Sequence, residues 1–361
     1  MIVRADGLTS KRRPVELSIV NYQLSTKQRV LSQVVELIEN KDKFGITTHI
    51  KPDGDGVGSS LGLCWLLRSL GKSAEVIVRG DIPVSYRSLP GADEIRDVEK
   101  LDKDYDAIFV IECSDLERPG IQGLEEHFTV NIDHHATSAH FGTINWIDST
   151  ASAVGEMIYN LCKAIGGRVT REIAECVYMA LVTDTGSFHF SNTTDRTLKV
   201  ASELIKAGAK PASISEAVYN NYPWSRIELM RQVLGTVKRD ETGKIATLRQ
   251  TLKMREQAGA VDGDNNGFVN IPLAARDVLA VVYMREVGPN EYRVSLRSKG
   301  DINVARVAEK FGGGGHRNAS GLRIVGDWNA KERELVAAVR EEVEASEEVW
   351  AGDITLTPDV F

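Results

Sequence analysis

The sequence predicts an α/β protein of two domains, the first carrying a parallel sheet. Short apolar runs of strand length alternate with helical patterns up to about residue 181, the alternation that strand-helix-strand units require. Three of these runs end abruptly in chemistry: residues 45–48 in His49, residues 107–111 in Glu112, and residues 128–132 in Asp133-His134-His135. In an open parallel sheet, ligands collect beyond the carboxyl ends of the strands, so those side chains stand at a crevice rather than in the core. At 361 residues the chain exceeds one typical core, since roughly 150 residues serve a domain.

In chain order, residues 1–25 show no periodicity and read as an N-terminal extension. Helix 27–40 precedes strand 46–49. Helix 58–70, with Leu61, Cys64, Trp65 and Leu67 on its apolar face, stops at Gly71, and strand 74–78 completes a strand-helix-strand unit. Strands ending at Glu112 and Ile132 follow, then helices 152–165 and 171–181. From residue 194 to about 237 the pattern is helical, broken at Gly208 and Pro223, and reads as a connector. The first domain is therefore placed at 26–205 and the connector at 206–240. Strand patterns return at 244–248, 278–286, 292–297 and 321–325, with a helix at 303–311 and a charged helix at 329–344. They make a smaller α/β domain at 241–346, of ordinary size, and leave 347–361 as an acidic tail.

Hydrophobic residues at 42% and charged residues at 26% are globular values. A net charge of −7 argues against a non-specific binder of long duplex nucleic acid. Between Tyr292 and Arg323, however, the local balance is +5, from Arg293, Arg297, Lys299, Arg306, Lys310, Arg317 and Arg323 against Asp301 and Glu309. Beside a glycine run, that strip favours a phosphate partner over a merely solvated face. The four cysteines lack C-x-x-C spacing and suit a reducing cytoplasm. No apolar h-region and no run near ~18 apolar residues points to secretion or a membrane span. The expected location is the cytoplasm.

His49-x-x-x-Asp53-x-Asp55 sets an imidazole and two carboxylates on a Pro-Gly turn, and Gly54, Gly56 and Gly58 let backbone approach a ligand. Alone, this is equally a polar turn. With Glu112, Asp133, His134 and Asp184, the last where a helical pattern breaks near Gly186, it becomes a set of carboxylates and imidazoles without thiolates. Such donors suit a hard or borderline ion such as Mn²⁺, and their number exceeds what one ion requires. Two ions bridged by one carboxylate is the economical reading. Asp262-x-Asp264-x-Asn266-Gly267 begins like a calcium loop but has Leu273 where a bidentate Glu is needed. Gly312-Gly313-Gly314-Gly315 lacks the following Lys-Ser/Thr of a P-loop; it is either a hinge or a backbone nest for phosphate, assisted by His316 and Arg317. His127, His140 and His189 end no apolar strand.

The segments His49 to Ser59, Asp133-His134-His135, Thr183-Asp184-Thr185-Gly186 and Phe311 to Gly321 resemble, in order, the motifs of the DHH phosphoesterase family, in its branch with a C-terminal DHH-associated domain. The resemblance implies a binuclear Mn²⁺ site in a cleft between the two domains, other divalent ions being admissible. It implies His49, Asp53, Asp55, Glu112, His134 and Asp184 as ligands, although the family normally has aspartate at the position of Glu112. Asp133 and His135 become catalytic, with His135 contacting the substrate phosphate and assisting the leaving oxygen. Arg297, Ser298, Gly313, Gly314, Gly315 and His316 become the substrate-binding group. Metal-activated hydroxide would attack phosphorus in line. The implied substrates are short oligoribonucleotides, released as nucleoside 5′-monophosphates, and adenosine 3′,5′-bisphosphate, released as AMP. A homodimer is compatible with the pattern.

Two other functions compete. One is a cyclic or linear dinucleotide phosphodiesterase of the same family, against which stands the lack of a sensory or membrane segment before Thr26. The other is a nucleotide-binding regulatory module with a decayed metal site, against which stands the intact set of ligand types.

Overall fold

A computed structural model describes residues 26–353; the readings for residues 1–25 and for the end of the tail, 354–361, lie outside the described residues. The chain divides between Asn221 and Tyr222 into two compact units.

The first unit runs through helix α1 (Thr26–Asn40), strand β1 (Lys43–Thr48), α2 (Gly54–Ser69), β2 (Ser73–Val78), the two-residue β3 (Arg96–Asp97), β4 (Ala107–Ile111), β5 (Thr129–Asp133) and β6 (Ile144–Ile147), then α3 (Val154–Ala164), α4 (Arg171–Asp184), α5 (Asp195–Ala207) and α6 (Pro211–Tyr219). The six strands are all parallel, in the order β3-β2-β1-β4-β5-β6. From β1 the chain builds outward to β2 and β3, and from β4 outward the other way. The reversal between β1 and β4 opens a crevice at their carboxyl ends.

Both faces of this sheet are covered, which is why its strands read as unbroken apolar runs. Along β4, Ala107, Phe109 and Ile111 enter the core shared with Leu63, Leu67, Ile158 and Val177, while Ile108 and Val110 enter a smaller cluster with Ile77, Ile121 and Leu124. Strands β3 and β6 are absent from the sequence reading. β3 is too short to show a pattern, and in β6 only Trp146 is buried. Helix α2 begins at Gly54, four residues ahead of the expected start, because the Asp53 carboxylate caps it by accepting from the Asp55 and Gly56 amides. Helix α4 runs on to Asp184 rather than stopping at 181.

The second unit comprises α7 (Trp224–Leu234), β7 (Lys238–Arg239), β8 (Ile245–Gln250), α8 (Leu252–Ala258), α9 (Asn270–Leu273), β9 (Ala280–Gly288), β10 (Glu291–Ser298), α10 (Val304–Lys310), β11 (Gly314–His316), β12 (Ala319–Val325) and α11 (Trp328–Asp353). The stretch 206–240 is thus shared out, with α6 in one unit and α7 in the other. The second sheet, β11-β12-β10-β9-β8-β7, is mixed: β8 and β9 are parallel and the other pairs antiparallel. On β9, Ala280, Val282 and Met284 pack with Val304, Val307 and Leu335, whereas Val281 and Tyr283 pack with Leu229, Val233 and Phe268. Helix α11 continues past the expected end at 344 to Asp353.

Candidate metal centre

The three predicted strand ends meet at one place. His49 follows β1, Glu112 follows β4, and Asp133 closes β5 ahead of His134 and His135. Glu112 sits at φ +58°, a left-handed conformation that side chains rarely adopt. Helix α2 presses its first turn against the same point. A Cβ on Gly56 would lie 2.6 Å from Thr48 Oγ1 and 3.1 Å from Glu112 Oε2, so only glycine permits this approach.

Asp55, fully buried, accepts from the Val154 amide at 2.7 Å, the Gly155 amide at 3.0 Å and the Ser59 hydroxyl at 2.6 Å. It therefore rests on the amino end of α3 while facing His134, whose Nε2 lies 3.8 Å from Asp55 Oδ2 and 3.6 Å from Asp184 Oδ2. His134 Nδ1 lies 3.2 Å from the Ala151 carbonyl, and His49 Nδ1 lies 3.1 Å from the Ile50 carbonyl. A carbonyl only accepts, so each Nδ1 carries a proton, and Nε2 is the ring nitrogen of either imidazole that can turn a lone pair to a metal. His49 Nε2 stands 3.9 Å from Glu112 Oε2.

Among the described residues, the atoms that could ligate a metal fall into three groups, each within 4.8 Å: Glu112 with His134 and His135; Asp55 with Glu112, His134 and Asp184; and His49 with Asp53 and Glu112. Glu112 belongs to all three. Burial raises the Asp55 carboxyl against the opposing pull of His134. Burial, then the charges of Asp55 and Asp53, raises Glu112 well above the ordinary carboxyl range. Asp184 is pushed up to about 7, first by burial and then by Asp55. Glu112 Oε2 and His134 Nε2 are buried without a hydrogen-bond partner. Crowded carboxylates, imidazole Nε2 atoms turned toward them and buried atoms lacking partners fit a divalent cation.

Asp133 takes another part. Its Oδ1 accepts from the His135 amide at 3.1 Å and faces His135 Nδ1 at 2.8 Å. That bond outweighs burial in raising the imidazole above its ordinary value. In Asp133 burial acts upward, but the hydrogen bonds from His135 and Ser138 leave the carboxyl low. The pair is a buried carboxylate orienting a half-exposed, proton-holding imidazole. Among the described residues Asp115 joins no group that could ligate a metal; its Oδ1 accepts from the Glu117 and Arg118 amides within its own turn.

On the second unit the basic strip is largely neutralised. Arg306, Lys310, Arg317 and Arg323 pair with Glu342, Glu341, Asp301 and Glu291. Arg293, Lys299 and Arg297 have no carboxylate partner among the described residues, and of these Arg297 is half-buried, which lowers its pKa. Part of the glycine run is a strand edge. Gly314–His316 form edge strand β11, and a Cβ on Gly313 would lie 2.3 Å from the Gly321 carbonyl oxygen. Arg297 and His316 both stand opposite Ala319, so they share one sheet face across a small residue. The Ser298 hydroxyl is already engaged, donating to Ile302 O and accepting from Asn318. The Asp262–Gly267 loop is held by Arg226, which donates to the Asp264 and Asn266 carbonyls.

The sequence reading passed over Ser59, Asn192 and the Ala151 carbonyl. Ser59 was accessible from its i+4 spacing to Asp55. Asn192, which donates to Asp184 at its carbonyl and at Oδ2, and the Ala151 carbonyl have no sequence signature.

The DHH family, N-terminal domain, matches residues 43–181, and the DHHA1 domain matches residues 243–345. The chain belongs to the DHH family. Its similarity extends to a bifunctional oligoribonuclease and PAP phosphatase of Thermus thermophilus, 35% identical over 320 residues that span 88% of this chain and 94% of the relative. A bifunctional oligoribonuclease and PAP phosphatase of Bacillus subtilis is 29% identical over 314 residues, covering 84% and 96%. Among solved structures, an exopolyphosphatase-related protein from Bacteroides fragilis superposes with a TM-score of 0.80 at 29% identity, over 90% of this chain and 99% of its own. This DHH chain is accordingly a phosphoesterase with a candidate divalent-metal site. No helix among its described residues is long and apolar enough to cross a membrane.

Proposed function

We propose that the chain is a Mn²⁺-dependent phosphoesterase that hydrolyses short oligoribonucleotides to nucleoside 5′-monophosphates and adenosine 3′,5′-bisphosphate to AMP. The observation that carries the reading is the convergence of Glu112 Oε2 and His134 Nε2, both buried and without hydrogen-bond partners, on a cluster of carboxyls that ionise with difficulty. The near full-length likeness to two bifunctional oligoribonuclease and PAP phosphatases supports the substrate class.

His49, Asp53, Asp55, Glu112, His134 and Asp184 would hold two ions, with Glu112 as the shared ligand because it belongs to every group. Imidazole donors favour Mn²⁺ over Mg²⁺. When bound, the ions supply Lewis acidity toward the phosphoryl oxygens and an activated water. Asp133 accepts the Nδ1 proton of His135 and favours the doubly protonated ring, and that imidazolium presents its Nε2 proton to the leaving oxygen. Arg297 offers a guanidinium, suited to bidentate phosphate contact, with His316 on the same sheet face. Gly313, Gly314 and Gly315 keep the β11 edge free of side chains for the substrate, and Ser298 fixes the turn that follows β10 through its bond to Ile302 O.

The test is a panel of di- to pentanucleotides, long RNA, adenosine 3′,5′-bisphosphate and cyclic dinucleotides, assayed on chelator-stripped protein with and without added Mn²⁺. Mn²⁺-dependent turnover of the short RNAs and the bisphosphate, falling with RNA length, is expected. Undiminished turnover by stripped protein, or turnover of cyclic dinucleotides alone, overturns the reading.

A further inference from the structure

Residues 150–155, which run from the loop after β6 into the first turn of α3, have their backbone committed at almost every position, and three of the proposed ligands lean on them. The Ala151 carbonyl fixes the His134 tautomer. The Val154 and Gly155 amides hold Asp55. The Ser152 carbonyl accepts from Asn192 at 3.0 Å, and the same Asn192 amide donates to the Asp184 carbonyl at 3.1 Å. A displacement of this segment would therefore move His134, Asp55 and Asp184 together.

What holds the segment is a buried charge outside the cluster. Glu156, on the first turn of α3, is fully buried. One of its carboxylate oxygens accepts from the Ser152 amide at 3.2 Å and the Ser152 hydroxyl at 2.8 Å. Its other oxygen pairs with Arg196 of α5, and the Arg196 guanidinium also donates to the Thr150 carbonyl at 2.6 Å. A carboxylate with no access to water is costly unless paired, so the Glu156–Arg196 pair stays closed and clamps the segment at both Thr150 and Ser152.

We infer that Glu156 and Arg196 are positioning residues, which preset the 150–155 segment so that His134, Asp55 and Asp184 are aligned for the metal. The inference rests on the metal reading above. It assigns the two residues no contact with substrate or ion.

The experiment measures Mn²⁺ binding by calorimetry on stripped, full-length protein, alongside the melting temperature of the stripped form and kcat as a function of Mn²⁺ concentration. The variants are Glu156→Gln, which keeps the shape and an acceptor for Ser152, Arg196→Lys, which keeps the charge but loses the double contact, and Asn192→Ala, which lies outside the core and gives the same comparison without disturbing folding. Partners that orient a metal ligand typically affect affinity by about 10- to 100-fold. A loss of that size is expected in all three, with kcat recovering at saturating Mn²⁺. A structural role alone would lower the melting temperature and leave Mn²⁺ affinity and its dependence unmoved, and that result overturns the inference. Failure of the wild-type protein to bind Mn²⁺ refutes the metal reading and this inference with it, whereas wild-type binding with unchanged affinity in the variants refutes the inference alone.

Discussion

Asp184→Asn should stabilise the stripped protein while abolishing its response to Mn²⁺. The Asp184 carboxyl is raised from an ordinary 3.8 to about 7, by burial and then by Asp55. Between those values the folded chain keeps a proton that the unfolded chain has released, so stability falls by about 1.4 kcal/mol per pH unit as the pH rises, and falls no further above about 7. That interval sets an upper bound of about 4 kcal/mol. With the side chain 24% exposed to water, screening brings the working figure to about 2 kcal/mol. Asparagine cannot ionise, so the variant escapes this loss. At about 2–4 °C per kcal/mol for a unit of this size, the first unit of the variant should melt about 4–8 °C above the parent at about pH 8. The gap should close toward about pH 3, below the unfolded value of 3.8, where Asp184 is protonated in both states. Thermal unfolding of chelator-treated protein across that pH range, repeated with Mn²⁺, makes the measurement. The parent should gain stability from Mn²⁺ by mass action and the variant should gain far less. A gap that narrows as pH rises, or a variant that keeps the parental Mn²⁺ response, would refute the reasoning.

Glu112→Ala should bind fewer ions than the parent and lose turnover, whereas Asp115→Ala should keep both; metal stoichiometry decides, and the opposite pattern moves the shared ligand to Asp115. His134→Ala should lose metal affinity, while His135→Ala should retain the metal and lose kcat, because Asp133 and His135 lie beside the ligand set as a proton-holding pair. Gly56→Ala should cost about 1–3 kcal/mol through overpacking against Thr48 and Glu112. Thr48→Ala, which removes the nearest atom, should return part of that loss in a melting experiment on the double variant. Arg297→Ala should raise KM more than it lowers kcat, as loss of uniform binding does; an equal fall in kcat and kcat/KM would place Arg297 at the reacting phosphate instead.

How much could be read beforehand depended on range. Residues 107–111 declare a strand buried on both faces because every position is apolar, and the abrupt appearance of Glu112 marks its carboxyl end. The same logic found His49 and Asp133-His134-His135, and the ordered motifs around them pointed to the family. β6 escaped because three of its four residues are only partly buried, which erases both the alternating and the continuous pattern. The start of α2 escaped because glycine is a weak helix former, and the Asp53 cap outweighs that weakness only once its two amide bonds are made. The pairing within the basic strip was not legible because charge counted along the chain omits acids such as Glu341 and Glu342, which tertiary packing brings from α11.

The sequence by itself determined the parallel sheet, the residue types at its strand ends and therefore the kind of chemistry open to the protein, since burial and periodicity are local properties of a strand or helix. Only the tertiary structure decided which carboxylates share one cluster, that Asp133 hydrogen-bonds His135, and that the Ala151 carbonyl faces His134 while Glu156 and Arg196 hold the neighbouring segment. Those roles are played by backbone carbonyls and by charges from distant helices, and a hydrogen bond between segments far apart in the chain leaves no periodicity to read.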